Sequence, residues 1–226
     1  MLGCLILNIK NYDDRLYFNK NNRSFECSLL NKNILKYIFT IQLHNKKAKK
    51  PFHFPTMKTY QDLLQIVHSF HEMEETIAAA QFLIEQYGLT HQNFKGFDLR
   101  EKAKPEFILM TTEGALGEPQ IIRIPENTFE FHLPLMINLL LHEMIHVSQK
   151  TPENSIHDKN EREWQAYYEM LFHEQYPQVP ELSQFHKRFF ANKALEYYNR
   201  MGESTLLQIK YANQKQKIDL LLLDVA

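Results

Sequence analysis

The chain has 226 residues, 44% hydrophobic and 12% aromatic, enough apolar mass to bury a full core in one domain and too much for a disordered segment. Its 26 Lys and Arg against 27 Asp and Glu leave a formal net charge of −1, which provides no overall electrostatic drive toward nucleic acid or an anionic membrane. Only two cysteines, Cys4 and Cys27, argue against a disulfide-built secreted scaffold and offer no zinc-finger spacing.

At the start, Met1-Leu2-Gly3-Cys4 has no charged and apolar stretch before it, and Leu5-Ile6-Leu7 is too short to span a bilayer. A soluble, cytoplasmic protein is expected. Residues 2–9, 15–18 and 24–30 read as short strands between Asn- and Asp-rich turns, and the basic, Pro-terminated run 45–51 reads as a connector. This divides the chain into an N-terminal β-rich segment, 1–50, and a main domain, 51–226. Thr59 and Asp62 have the spacing of a capping box, and Leu63, Ile66, Val67, Phe70, Met73, Ile77, Ala80 and Ile84 then repeat at helical spacing up to Gly88. One long amphipathic helix is expected there, with His68 and His71 as ordinary side chains and not ligands. Residues 106–112 and 120–124 read as two strands joined by a turn containing Gly114 and Gly117.

The next stretch carries the chemistry. Leu139-Leu140-Leu141-His142-Glu143-Met144-Ile145-His146 contains an HExxH motif, and positions i and i+4 of a helix share one face. His142 and His146 can therefore offer neutral ring nitrogens to a single Zn²⁺, with Glu143 beside them to take a proton from water. Pro134 suits the first helical turn, and the helix is apolar almost all round, as a buried one must be. Asn138, His142, His146 and Gln149 form one polar stripe down it, and burying such groups without partners costs about 1–3 kcal/mol each. Two ligands are too few for a catalytic zinc site, which has three plus a water. After Pro152, Asp158-Lys159-Asn160-Glu161 reads as a capping box opening another helix, on which Glu163 shares the face of Ala166, Tyr167 and Met170.

Here the chain resembles the gluzincin metallopeptidases, in which HExxH is followed on a later helix by a glutamate ligand within ExxA; Glu163-Trp164-Gln165-Ala166 is similar to that second motif. The resemblance covers roughly residues 120–174. It implies His142, His146 and Glu163 as metal ligands, Glu143 as the base, and a zincin-like fold with a small sheet packed on the HExxH helix. Tyr167 stands where many of these families have an aspartate that orients a ligand histidine. The segment is also similar to the SprT-like proteases, which use a third histidine, here His157. Glu163 ranks first as third ligand, His157 second and Glu161 third. In the resembled peptidases a strand just before the HExxH helix forms the edge of the cleft. Residues 120–124 are expected to be that strand, with an unpaired edge that holds an extended peptide.

Past Pro177 and Pro180, residues 181–200 read as a helix with Phe185, Phe189 and Tyr197 or Tyr198 inward, and 203–225 as mostly helix, its Leu220-Leu221-Leu222-Leu223 run suited to a core plug or a dimer contact. The elements add up to a helix-rich α+β protein. The expected activity is zinc-dependent hydrolysis of a peptide bond by metal-activated water, with Glu143 as general base and an oxyanion donor among Tyr167, Tyr168, His173, His186 and Tyr197. A peptide or protein substrate is expected, with neither nucleic acid nor membrane as partner and the oligomeric state left open. Two other readings are a deformylase-like zinc hydrolase of a non-peptide amide and a non-catalytic metal-binding protein.

Overall fold

The structure, a computed structural model, describes residues 58–104 and 106–225. The expected strands at 2–9, 15–18 and 24–30, the connector and both cysteines lie outside the described residues. Within them the protein is a helix-rich α+β fold of six α-helices and a three-stranded mixed sheet. No described helix is long and apolar enough to cross a membrane.

The first expected helix is two. Helix α1 (Tyr60–Glu72) opens on the predicted capping box, in which the Thr59 hydroxyl accepts from the Asp62 N–H and the Asp62 carboxylate from the Thr59 N–H, both at 3.2 Å. It stops at Met73; Glu74 takes a left-handed φ of 59°, and α2 (Thr76–Gln86) starts in a new direction, its first residue tied by its hydroxyl to the Glu126 carbonyl at 2.7 Å. The apolar stripe hides the break because Leu63, Val67 and Phe70 on one side and Ala80 and Ile84 on the other are all buried. The two stripe members nearest the break, Met73 and Ile77, are exposed. His68 pairs with Glu72 at 3.3 Å, on a partly exposed face.

Strands β1 (Phe94–Arg100), β2 (Thr111–Glu113) and β3 (Gln120–Pro125) form a sheet of order β1-β3-β2, with β1 parallel and β2 antiparallel to β3. This overturns the expected cleft edge. Residues 120–124 lie in the central strand, paired on both sides, so their backbone groups are already used by the sheet. The strand that touches the HExxH helix is β2, shorter than the expected 106–112, and β1 was not expected at all.

Helix α3 (Leu133–Gln149) carries the motif. Every residue in it except Pro134 and Ser148 is buried. Full burial of a Leu or Ile side chain is worth about 1.5–3 kcal/mol, so this apolar girdle holds the helix where its polar stripe must find partners inside the protein. Helix α4 (Lys159–Phe172) follows, and half of its expected capping box is made: the Asp158 carboxylate accepts from the Glu161 N–H at 2.9 Å, while the Glu161 carboxylate turns to Tyr211 and Lys210. Helix α5 (Gln184–Arg200) buries His186, Phe190, Ala194 and the expected Tyr198 and packs Phe189 and Tyr197 partly against the core, whereas Phe185, expected inward, is exposed. Helix α6 (Leu206–Asp224) lies on the outside, with Tyr211 and Ile218 as its buried residues. Its leucine run divides, Leu221 and Leu222 toward the core and Leu220 and Leu223 to solvent.

Candidate metal centre

Helix α3 brings His142, Glu143 and His146 to one level and α4 supplies Glu163 across from them, each no more than 4% exposed. The two Nε2 atoms are 3.1 Å apart; Glu163 Oε2 is 3.5 Å from His142 Nε2, and Oε1 is 3.7 Å from His146 Nε2. Among the described residues this is the one cluster of three His, Cys, Asp or Glu side chains whose donor atoms all lie within 4.8 Å of one another. The other two candidates for third ligand do not join it. His157 is exposed, and Glu161 Oε1 accepts hydrogen bonds from Tyr211 and Lys210 at 2.6 and 2.8 Å.

What faces the rings from behind decides which atoms are free. His146 Nδ1 lies 2.8 Å from the Gln149 side-chain oxygen, and His142 Nδ1 lies 3.2 Å from the Met170 sulfur. Amide oxygens and thioethers only accept, so both Nδ1 atoms donate, and each ring when neutral turns a bare Nε2 lone pair toward the other ring and the carboxylate. Such a cluster needs something positive in its middle. A proton can bridge one edge; a divalent cation can engage all three donors. The fit supports the second, because donors about 2.0–2.1 Å from a tetrahedral Zn²⁺ stand about 3.4 Å apart. Glu163 Oε2, buried and without a hydrogen-bond partner, is the kind of oxygen a cation would engage.

The electrostatics agree. Burial alone would pull the His146 imidazole down, yet the Glu163 and Glu143 carboxylates raise it above the ordinary histidine range. Burial would likewise push the Glu163 carboxyl up, but the His146 and His142 rings hold it well below the usual carboxylate range. The pocket attracts positive charge.

No protein-family model, curated protein or solved structure matches this chain.

Glu143 faces the site differently. The Thr112 hydroxyl, on β2, meets its Oε2 at 2.7 Å and its backbone carbonyl at 2.9 Å, while its Oε1 is buried without a hydrogen-bond partner. Tyr167 sets its ring against His142, centroids 4.6 Å apart, and stacks on Tyr197 at 5.8 Å. Of the five candidate oxyanion donors, Tyr168 is bonded to Glu174, His173 to Asn138 and His186 to Ser183. Tyr167 remains, as does Tyr197, whose hydroxyl accepts from Arg200 and keeps its own proton to donate; both have hydroxyl pKa raised by burial and then by the charge of Glu163.

The sequence placed Met170 on the inward face with Glu163 but did not assign its contact with His142, and Thr112 was missed. For Thr112 there was no usable signal, since its contact depends on which strand lies on α3.

Proposed function

We propose that this protein is a zincin-like metallopeptidase, with Zn²⁺ held by His142, His146 and Glu163 and Glu143 as general base. The observation that carries the reading is the convergence of two bare Nε2 atoms and a buried carboxylate, with the unpartnered Oε1 of Glu143 on the same helix. A purely structural metal site has no use for Glu143, whose burial without a full set of partners costs about 1–3 kcal/mol.

A Zn²⁺ in this cluster would supply a Lewis acid that polarises the scissile carbonyl and lowers the pKa of a water toward about 7. Glu143 takes a proton from the attacking water, the water oxygen bonds to the carbonyl carbon, and Glu143 returns the proton to the leaving nitrogen as the C–N bond breaks. Thr112 keeps one carboxylate oxygen of Glu143 engaged, leaving Oε1 for this traffic. Tyr167 or Tyr197 is the candidate donor to the developing oxyanion.

The depth of burial favours a second reading, hydrolysis of a small non-peptide amide, because all four groups are almost fully covered. Metal analysis, then assay against a peptide library and against short N-formyl amides with and without chelator, tests both. Glu143→Gln should retain zinc and lose hydrolysis by a factor of about 100 or more. Unchanged turnover in that variant would refute the assignment of the base.

A further inference from the structure

A hydrogen-bond chain runs from His146 to the last helix, and every proton in it points outward. His146 Nδ1 meets Gln149 Oε1 at 2.8 Å; Gln149 Nε2 donates to the Arg162 carbonyl at 3.0 Å and to Gln165 Oε1 at 3.1 Å. Gln165 Nε2 donates to the Tyr211 hydroxyl at 2.6 Å, and that hydroxyl donates to Glu161 Oε1 at 2.6 Å, where Lys210 also donates at 2.8 Å. The chain thus passes from α3 through α4 to α6. Gln149, Tyr211 and Glu161 are all buried.

This polarity is dictated from two ends. A backbone carbonyl only accepts, so Arg162 turns the nitrogen of Gln149 toward α4 and its oxygen toward His146, and the proton between them belongs to His146 Nδ1. A carboxylate only accepts, so Tyr211 must spend its proton on Glu161 and offer a lone pair to Gln165; that turns the oxygen of Gln165 toward Gln149. Two amide orientations and one imidazole tautomer follow.

We propose that Gln149, Gln165, Tyr211 and Glu161 are positioning residues that lock the neutral His146 ring in its Nδ1-protonated form, with Nε2 bare and turned toward His142 and Glu163. The consequence for cation affinity rests on the metal reading above; the tautomer does not. The chain makes α6 part of the site although none of its side chains belongs to the donor cluster. A neighbouring bond supplies the control: Trp164 Nε1 donates to Gln214 at 3.0 Å, joining the same two helices without entering the chain.

The experiment compares the wild-type chain with Gln149→Leu, Tyr211→Phe and Gln214→Leu. It reads the ¹⁵N resonances of the His146 ring in metal-free protein at a pH where the ring is neutral, and Zn²⁺ affinity by competition with a chromophoric chelator. The expected result is an Nδ1-protonated ring in wild type and Gln214→Leu, a minor but measurable Nε2 fraction in Tyr211→Phe, where the Arg162 carbonyl still holds Gln149, and a larger shift toward the Nε2 form in Gln149→Leu. Zn²⁺ should bind about 10–100-fold more weakly to Gln149→Leu, about 10-fold or less more weakly to Tyr211→Phe, and within about twofold of wild type to Gln214→Leu. An Nε2-protonated ring in wild type, or a tautomer unchanged by both chain variants, overturns the inference. Equal Zn²⁺ affinity in all four proteins overturns the positioning role and leaves the metal reading standing; no Zn²⁺ binding to wild type ends the metal reading, and the tautomer alone then decides the chain. Should Gln149→Leu fail to fold, Tyr211→Phe carries the test, since it removes one hydroxyl and keeps the ring packed 6.1 Å from Trp164.

Discussion

Glu143 is a carboxylate in the interior of a buried helix, and one hydroxyl answers for it. The Thr112 Oγ1 contact at 2.7 Å is the hydrogen bond that its side chain makes among the described residues, and Thr112 is itself buried. Thr112→Val keeps the shape and removes the donor. Leaving a buried acceptor unpaired costs about 1–3 kcal/mol, more when the acceptor is charged, so urea denaturation should register a loss in that range. The charge can be separated from the shape by repeating the substitution in Glu143→Gln. An amide at 143 is cheaper to leave unpaired, and the loss from Thr112→Val should shrink there; identical losses in both backgrounds would mean that the hydroxyl serves the Glu143 backbone carbonyl, which it also meets at 2.9 Å, and not the carboxylate.

At the level of elements, α1 and α2 are one apolar pattern cut by a single backbone conformation. Glu74 sits at φ 59°, where a side chain costs about 1–2 kcal/mol and glycine almost nothing. Glu74→Gly should therefore raise the unfolding free energy by about 0.5–1 kcal/mol after the added entropy of the unfolded chain is deducted, and a lower urea midpoint would deny that strain exists there. The same comparison marks what a sequence can carry. Helix α3 was legible because its apolar residues leave no solvent face, and α4 because Asp158 caps it; Glu163 could be chosen because Ala166 and Tyr167, one turn on, and Met170, two turns on, share its face, and all are buried with it. Strand β1 was not legible. Its register shifts between Phe94 and Gly96, which breaks the alternation that announces a strand. Without β1, the central place of β3 could not be inferred, since it depends on parallel pairing across a long loop. On α5 the polar His186 is buried with a Ser183 partner while Phe185 faces out, the reverse of what hydrophobicity suggests. The Gln149 to Tyr211 chain joins segments far apart in sequence, and no local pattern encodes it.

For the molecule as a whole, the donor cluster is a joint between α3 and α4, and it exists only when both helices are docked. A cation taken there binds the folded chain and not the unfolded one, so it must stabilise the fold by mass action: about 2.7 kcal/mol at a free concentration 100 times the Kd. A domain of this size gains about 2–4 °C in Tm per kcal/mol, so Zn²⁺ at that excess should raise the melting temperature by about 5–11 °C. Chelator should reverse the shift. Mg²⁺ should produce little of it, because two of the three donors are imidazole nitrogens and Mg²⁺ prefers oxygen ligands and keeps its waters. His142→Ala takes one donor out and should abolish most of the response to Zn²⁺ while leaving the metal-free protein able to melt cooperatively. A scan in which wild type and His142→Ala respond alike to Zn²⁺ would assign the effect to surface histidines, and the two helices would then be joined by packing and by the hydrogen bonds of Gln149 to the Arg162 carbonyl and Gln165.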